Sequence, residues 1–161
     1  MMQRTLVLIK PDGVMRGLIG EIIKRFEQRG MKIIGMKMVN VERELADRHY
    51  KDIGIRHGEK IKKDLVDYLI SGPNVAMVIE GIDGVANVRK ITGSTFPNEA
   101  AIGTIRGDFA HTSREYGNKM GKMMNLVHAS ATIEEAKEEI NLWFSEDELL
   151  DYKLCHQAHV S

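Results

Sequence analysis

The chain has 161 residues, 43% of them hydrophobic and 29% charged, with Lys plus Arg equal to Asp plus Glu at 23 each. Such a length predicts one domain over residues 1–161, with a core large enough to need no disulfide or metal staple. The balanced charge excludes bulk attraction to nucleic acid or to an acidic membrane. Cys155 is the only cysteine, so no disulfide can form within the chain. A catalytic thiol is a formal option; a small, half-buried tail residue is the plainer reading. No apolar run reaches transmembrane length, and the first one stops at Lys10, too soon for a signal peptide. The expected setting is the reducing cytoplasm, with no membrane or nucleic-acid partner.

In chain order, residues 5–9 are short, apolar and branched, which predicts a strand. Residues 18–29 put Leu18, Ile22, Ile23 and Phe26 on one helical face, and Gly30 follows as a cap. Residues 32–41 alternate and predict a second strand. Residues 42–51 and 59–70 predict helices, the latter stopped by Ser71-Gly72-Pro73. Residues 75–79 predict a buried strand and 84–91 a helix. Residues 92–125 hold most of the turn chemistry and little periodicity. Residues 126–128 predict a short strand. Residues 133–144 predict an amphipathic helix with Ile133, Ala136, Ile140 and Trp143 or Phe144 inward.

Two strand–helix–strand units are therefore expected. They suggest an α/β (α+β) ferredoxin-like sandwich: a four-stranded antiparallel sheet with helices packed over one face. A doubly wound parallel sheet is the rival, and it needs more strands in more regular alternation.

No phosphate loop of the GxxxxGK[ST] type and no GxGxxG follows any strand, so the common nucleotide cradles are absent. Lys10-Pro11-Asp12-Gly13 makes a sharp turn after the first strand and leaves the Lys10 side chain free to quit the core. A lysine there is commonly a solvated gatekeeper. Arg89, Thr95 and Arg106 lie in a glycine-punctuated stretch, and arginine forks with a hydroxyl can hold a polyphosphate. The same arginines could equally pair with surface carboxylates. Of six histidines, His49, His57, His111, His128, His156 and His159, each is by default a surface or structural residue, and no pair has zinc-helix spacing. His128 differs in setting. It ends the apolar Leu126-Val127, is followed by Ala129-Ser130-Ala131, and has Glu139 on the next helix. A carboxylate can fix the imidazole tautomer and leave the other nitrogen as nucleophile.

Four motifs in order, Ile9-Lys10-Pro11-Asp12-Gly13, Arg16-Gly17-Leu18-Ile19-Gly20-Glu21-Ile22, Gly103-Thr104-Ile105-Arg106-Gly107-Asp108-Phe109 and Asn125-Leu126-Val127-His128-Ala129-Ser130, resemble the nucleoside diphosphate kinases. The resemblance implies a ping-pong transfer of the terminal phosphate of ATP or another nucleoside triphosphate to a nucleoside diphosphate. The carrier would be a phosphohistidine at His128, supported by Ser130 and Glu139. Lys10, Arg89, Thr95 and Arg106 match the family's phosphate-binding positions, and Lys10 is counted with the catalytic set. Asn125 matches a residue at the sugar and phosphate end, and Tyr50 one in the wall of the site. The family implies Mg²⁺ held by nucleotide phosphates, with no direct protein ligand. It also implies a homo-oligomer, a hexamer in preference to a tetramer, assembled through the loop 92–106 and the C-terminal tail.

Three departures from the family pattern stand out. No Phe, Tyr or Trp occurs from residue 51 to 67, where the family offers a phenylalanine against the base; Ile61 or His57 would stand in. About nine extra residues precede Asn125, and long loops of that kind are commonly functional. Ala131 stands where many relatives have aspartate. Two rival readings are a member of the fold that binds nucleotides or serves as scaffold after losing turnover, and a small-ligand regulatory domain.

Overall fold

The computed structural model describes residues 1–155 and Ala158. Four strands, β1 (Met2–Ile9), β2 (Lys32–Asn40), β3 (Pro73–Ile82) and β4 (Val127–Ala129), form one sheet in the order β2-β3-β1-β4. Every adjacent pair is antiparallel. β1 and β2 therefore run parallel with β3 between them, and β3 and β4 flank β1 in the same way. This is the ferredoxin-like sandwich, and the parallel doubly wound alternative is excluded.

β1 and β3 both extend beyond the apolar runs expected at 5–9 and 75–79. Met2, Gln3 and Arg4 pair with Ile82, Gly81 and Glu80, and the Arg4 guanidinium meets the Glu80 carboxylate at 2.9 Å. Polar strand ends at a sheet margin carry no apolar signal, so composition missed them.

Helices cover both faces of the sheet, a correction to the single covered face expected. Alternation along β1 shows it. Leu6 and Leu8 pack with Ala46, Val66, Leu69, Ile140 and Trp143, whereas Val7 and Ile9 pack with Ile22, Phe26, Val88 and Ile105. The first group lies on α3 (Arg43–His49), α5 (Glu59–Leu69) and α9 (Ile133–Trp143); the second on α2 (Ile19–Glu27), α6 (Gly84–Thr92) and α7 (Ile105–Phe109). A strand buried on both sides is apolar at every position instead of alternating, which is how residues 5–9 read.

α2 stops where the sequence placed its glycine. Gly30 has φ 72, its N–H reaches the Glu27 carbonyl at 2.9 Å, and the Met31 N–H reaches back to Phe26 at 3.2 Å. These two bonds close the last turn in a Schellman pattern that needs a left-handed residue. In α9, Ala136, Ile140 and Trp143 are buried as expected, but Ile133 is exposed in the first turn. Short helices fill segments that read as loop: α1 (Pro11–Met15), α4 (Lys51–His57), α7 and α8 (Arg114–Met120). None spans more than two turns, too few for a 3.6-residue period to declare itself. No helix among the described residues is long and apolar enough to cross a membrane.

Candidate active site

β4 pairs with β1 so that His128 lies opposite Leu8. Side chains alternate along a strand, so His128 shares the face of Leu6 and Leu8 and turns toward α3 and α9. There its Nε2 lies 2.8 Å from Glu139 Oε1. The other carboxylate oxygen accepts a bond from Ser130 Oγ at 2.6 Å, and Ser130 Oγ accepts the Leu6 N–H at 3.3 Å. Burial alone would raise the Glu139 pKa, but the His128 ring, its hydrogen bond, His49 and the Ser130 hydroxyl outweigh burial and hold the carboxyl down at about 2. An ionised carboxylate only accepts, so it fixes the His128 proton on Nε2 and leaves the Nδ1 lone pair free.

His49, at the end of α3, is the residue that sequence reasoning passed over. Its side chain is buried, and its ring stands almost perpendicular to His128 with centroids 4.5 Å apart. Its Nδ1 accepts the Trp143 indole N–H at 3.2 Å, with Glu139 Oε1 3.4 Å away. Burial first, then the neighbouring His128, pushes its pKa down to about 3, so the ring is neutral. Among the described residues its Nε2 is a buried nitrogen without a partner. The only available signal was its place before Tyr50 on a helix whose buried stripe includes Ala46. His49, His128 and Glu139 offer nitrogen and oxygen atoms within 4.8 Å of one another, a geometry that could ligate a metal. The His128–Glu139 hydrogen bond and the edge-on packing of the two rings account for it without one.

The turn into β4 is unusual. Leu126, fully buried, has φ 69, and the Val127 N–H closes a three-residue turn on the Asn125 carbonyl at 2.8 Å. A branched-chain residue in this region is strained and persists only where its surroundings hold it. The surroundings are explicit. Asp12 Oδ2 accepts the Leu126 N–H at 3.0 Å, and the Leu126 carbonyl accepts the Lys10 N–H at 2.8 Å. Arg106 Nε and Nη2 bridge the Asn125 and Val127 carbonyls at 3.1 and 2.7 Å. Gly13 permits the approach, since a Cβ there would lie 2.7 Å from Ile9 Cγ2 and 3.2 Å from the Leu126 carbonyl.

Two of the residues expected at the phosphates are more constrained than their types suggest. Arg106 does not present an open fork: its Nη1 also bonds the Gly93 and Ser94 carbonyls, so one Nη2 hydrogen is left for a ligand. Burial, then the nearby Arg89 charge, lowers its pKa to about 10, with Asp12 opposing, and it stays cationic at neutral pH. Lys10 is no solvated gatekeeper. It is buried, its Nζ donates to the Met123 carbonyl at 3.1 Å, and it lies over the Tyr68 ring. Burial lowers its pKa to about 8, with Asp12 opposing and Arg106 adding.

The other expected residues lie around this centre. Arg89, exposed on α6, has no ion-pair partner among the described residues, so the surface-pairing alternative does not apply to it. Asn125 Nδ2 donates to the Thr95 carbonyl at 2.9 Å, while its Oδ1 is buried without a donor among the described residues. Thr95 is exposed beside it. Tyr50 is buried 4.7 Å from the His49 ring, and burial, then Glu139, raises its phenol pKa. His128 opens on a cleft of about 500 Å³ lined by His49, Tyr50, Ile53, Glu138 and Glu139. Ile61 and His57 line an adjoining cleft of about 440 Å³ with Ile53, Asp64, Thr95 and Phe96. His111 is exposed in the loop after α7, and His156 and His159 lie outside the described residues. Cys155 is exposed, not half-buried as expected.

The family model for nucleoside diphosphate kinase matches residues 3–149. A nucleoside diphosphate kinase of Borreliella burgdorferi is 43% identical over 156 residues, 95% of this chain and 93% of that protein. One of Sulfurisphaera tokodaii is 50% identical over 148 residues, 92% of each. Among solved structures, a transition state mimic of the nucleoside-diphosphate kinase from Borrelia burgdorferi with bound vanadate and ADP superimposes with a TM-score of 0.95. It is 42% identical and covers 98% of this chain and 96% of that one. A halophilic nucleoside diphosphate kinase from Halobacterium salinarum in complex with CDP gives 0.87 at 39% identity, covering 100% and 99%.

Proposed function

The chain belongs to the nucleoside diphosphate kinase family, and from that premise we propose that His128 Nδ1 is the atom that carries the phosphate. The observation that carries this reading is the Nε2–Glu139 bond of 2.8 Å, backed by Ser130, which frees Nδ1 and orients it. In the first half-reaction Nδ1 attacks the terminal phosphorus of a nucleoside triphosphate such as ATP. The bond from that phosphorus to the bridging oxygen breaks, and a nucleoside diphosphate leaves. In the second half-reaction the terminal oxygen of another diphosphate attacks the phosphohistidine, and Nδ1 regains its lone pair. One phosphoanhydride is exchanged for another, so the overall step is near thermoneutral and one pocket serves both substrates in turn.

Phosphoryl transfer rests on positioning and charge neutralisation more than on covalent chemistry by the protein. Arg89 supplies an unpaired guanidinium, Lys10 a buried cation, Arg106 one remaining N–H, and Thr95 an exposed hydroxyl. Asn125, bonded to the Thr95 carbonyl, would stand at the sugar end of the nucleotide. The clamp residues Lys10, Arg89 and Arg106 are cationic and form no carboxylate cage, which fits Mg²⁺ held by the nucleotide phosphates instead of by the protein. Bound there, Mg²⁺ would neutralise phosphate charge. The assembly proposed is a homo-oligomer, a hexamer in preference to a tetramer. Support comes from Met36 and Met38, more than half exposed on the edge strand β2, and from the nearly fully exposed Ile102 in the loop 92–106.

The test is incubation with ATP labelled on its terminal phosphate, then acid and alkali. The expected label is acid-labile, survives alkali, and is absent from His128→Ala. An unlabelled wild type would sink the kinase reading, and label persisting in the variant would sink the residue.

A further inference from the structure

α5 presents Ile61 and Asp64 three residues apart, hence on one face, to the cleft of about 440 Å³ that begins at Thr95. The opposite wall is α8, the helix inside the extra stretch 110–124. The slot has apolar sides, Ile61, Leu65 and Met123, and Phe96 lies at its edge with the Arg114 guanidinium 4.2 Å from the ring centroid. Its Met123 is the residue whose carbonyl takes Lys10 Nζ, and its Thr95 the one whose carbonyl takes Asn125 Nδ2. Ile53 lines both this slot and the His128 cleft. A nucleotide with its phosphates at Lys10 and Arg106 would thus lay its base here.

Asp64 is out of keeping with such a wall. It is half-buried, and among the described residues it makes no hydrogen bond or ion pair, although Arg114 and Lys122 line the same cleft. Its carboxylate sits 3.7 Å from where a side chain on Gly121, just beyond α8, would begin. A partly desolvated carboxylate without donors is costly unless a ligand supplies them. It offers two acceptor oxygens side by side and no donor. Guanine presents two adjacent donors, N1–H and the N2 amino group. Adenine presents an N1 acceptor beside its N6 amino group and matches only half of the pair.

We propose that Asp64 reads the N1–H and N2–H edge of guanine, so that the helix α8 and α5 together make guanine nucleotides the favoured acceptors. This rests on the phosphohistidine reading above. The experiment is single-turnover transfer from isolated phosphoenzyme, wild type and Asp64→Asn, to GDP, ADP and xanthosine diphosphate (XDP). Xanthine keeps N1–H but carries an oxygen at C2, which repels a carboxylate and accepts from an asparagine amide. Wild type is expected to favour GDP over ADP by about tenfold in kcat/KM, the worth of a charge-assisted hydrogen bond. In Asp64→Asn, whose amide offers one donor and one acceptor, that ratio should fall to unity or below and XDP should gain about tenfold. The gain with XDP cannot arise from misfolding. An equal GDP-to-ADP ratio in the two proteins overturns the proposal, as does loss of the preference without the xanthine gain. No phosphoenzyme in the wild type would instead be a failure of the kinase reading itself.

Discussion

At the scale of single residues, the site is governed by where protons are forbidden. Glu139 is held ionised by two rings and a hydroxyl, and it in turn decides which nitrogen of His128 is free. Glu139→Gln keeps the shape but offers an amide that can donate to Nε2 and move the imidazole proton to Nδ1. Stopped-flow phosphorylation by ATP should slow by about 10²-fold with little change in KM, as for other histidines left in the wrong tautomer. Lys10 adds a pH dependence. Its folded pKa of about 8 means the cation is present below that pH and lost above it. The kcat/KM for nucleotide should therefore fall as pH rises through about 8, and Lys10→Met should be weaker with that limb missing. His49 acts on stability in acid. The folded ring refuses a proton down to about pH 3, whereas an unfolded histidine takes one near 6.5. The unfolded state binds more protons across that window, so stability falls as pH drops through it. Thermal melts at pH 5 and 7 should separate in the wild type and converge in His49→Phe.

At the scale of elements, the site is delivered by three pieces packed against the end of β1. β4 brings His128, α9 brings Glu139, and α3 brings His49. α9 depends on its cap: Thr132 Oγ1 accepts the Glu135 N–H at 3.1 Å. Thr132→Ala should cost about 1 kcal/mol, read as a fall of roughly 2–4 °C in Tm. α1 and the turn at Leu126 form the other joint, with Asp12 and Arg106 bonded to the backbone that strain would otherwise open. Arg106 is thereby scaffold and ligand at once. Its loss should therefore damage more than phosphate binding.

At the scale of the whole molecule, helices seal both faces of the sheet and the Leu150 N–H caps the Ile34 carbonyl at the start of β2, but Met36 and Met38 stay exposed farther along that edge. An exposed, apolar edge strand invites pairing with another chain. Light scattering should return six times the mass of one chain, and a stable monomer would contradict the assembly proposed above.

Much of this was legible in the residues. Long amphipathic segments, the glycine after α2, the succession of strands and helices along the chain and the motif around His128 each depend on local spacing, and local spacing survives in a sequence. What needed the tertiary structure depends on residues far apart in the chain. His49 and His128 are remote in sequence and meet only because α3 and β4 face the same side of the sheet. The Arg106 guanidinium looked like an open phosphate fork until folding spent it on carbonyls from two loops. Lys10 looked solvated until α1 and the segment before β4 closed over it, and Asp64 gained its meaning only when α8 came to lie across from it. Residue type and spacing set what each side chain can do; burial and long-range contact decide which of those capacities is left free.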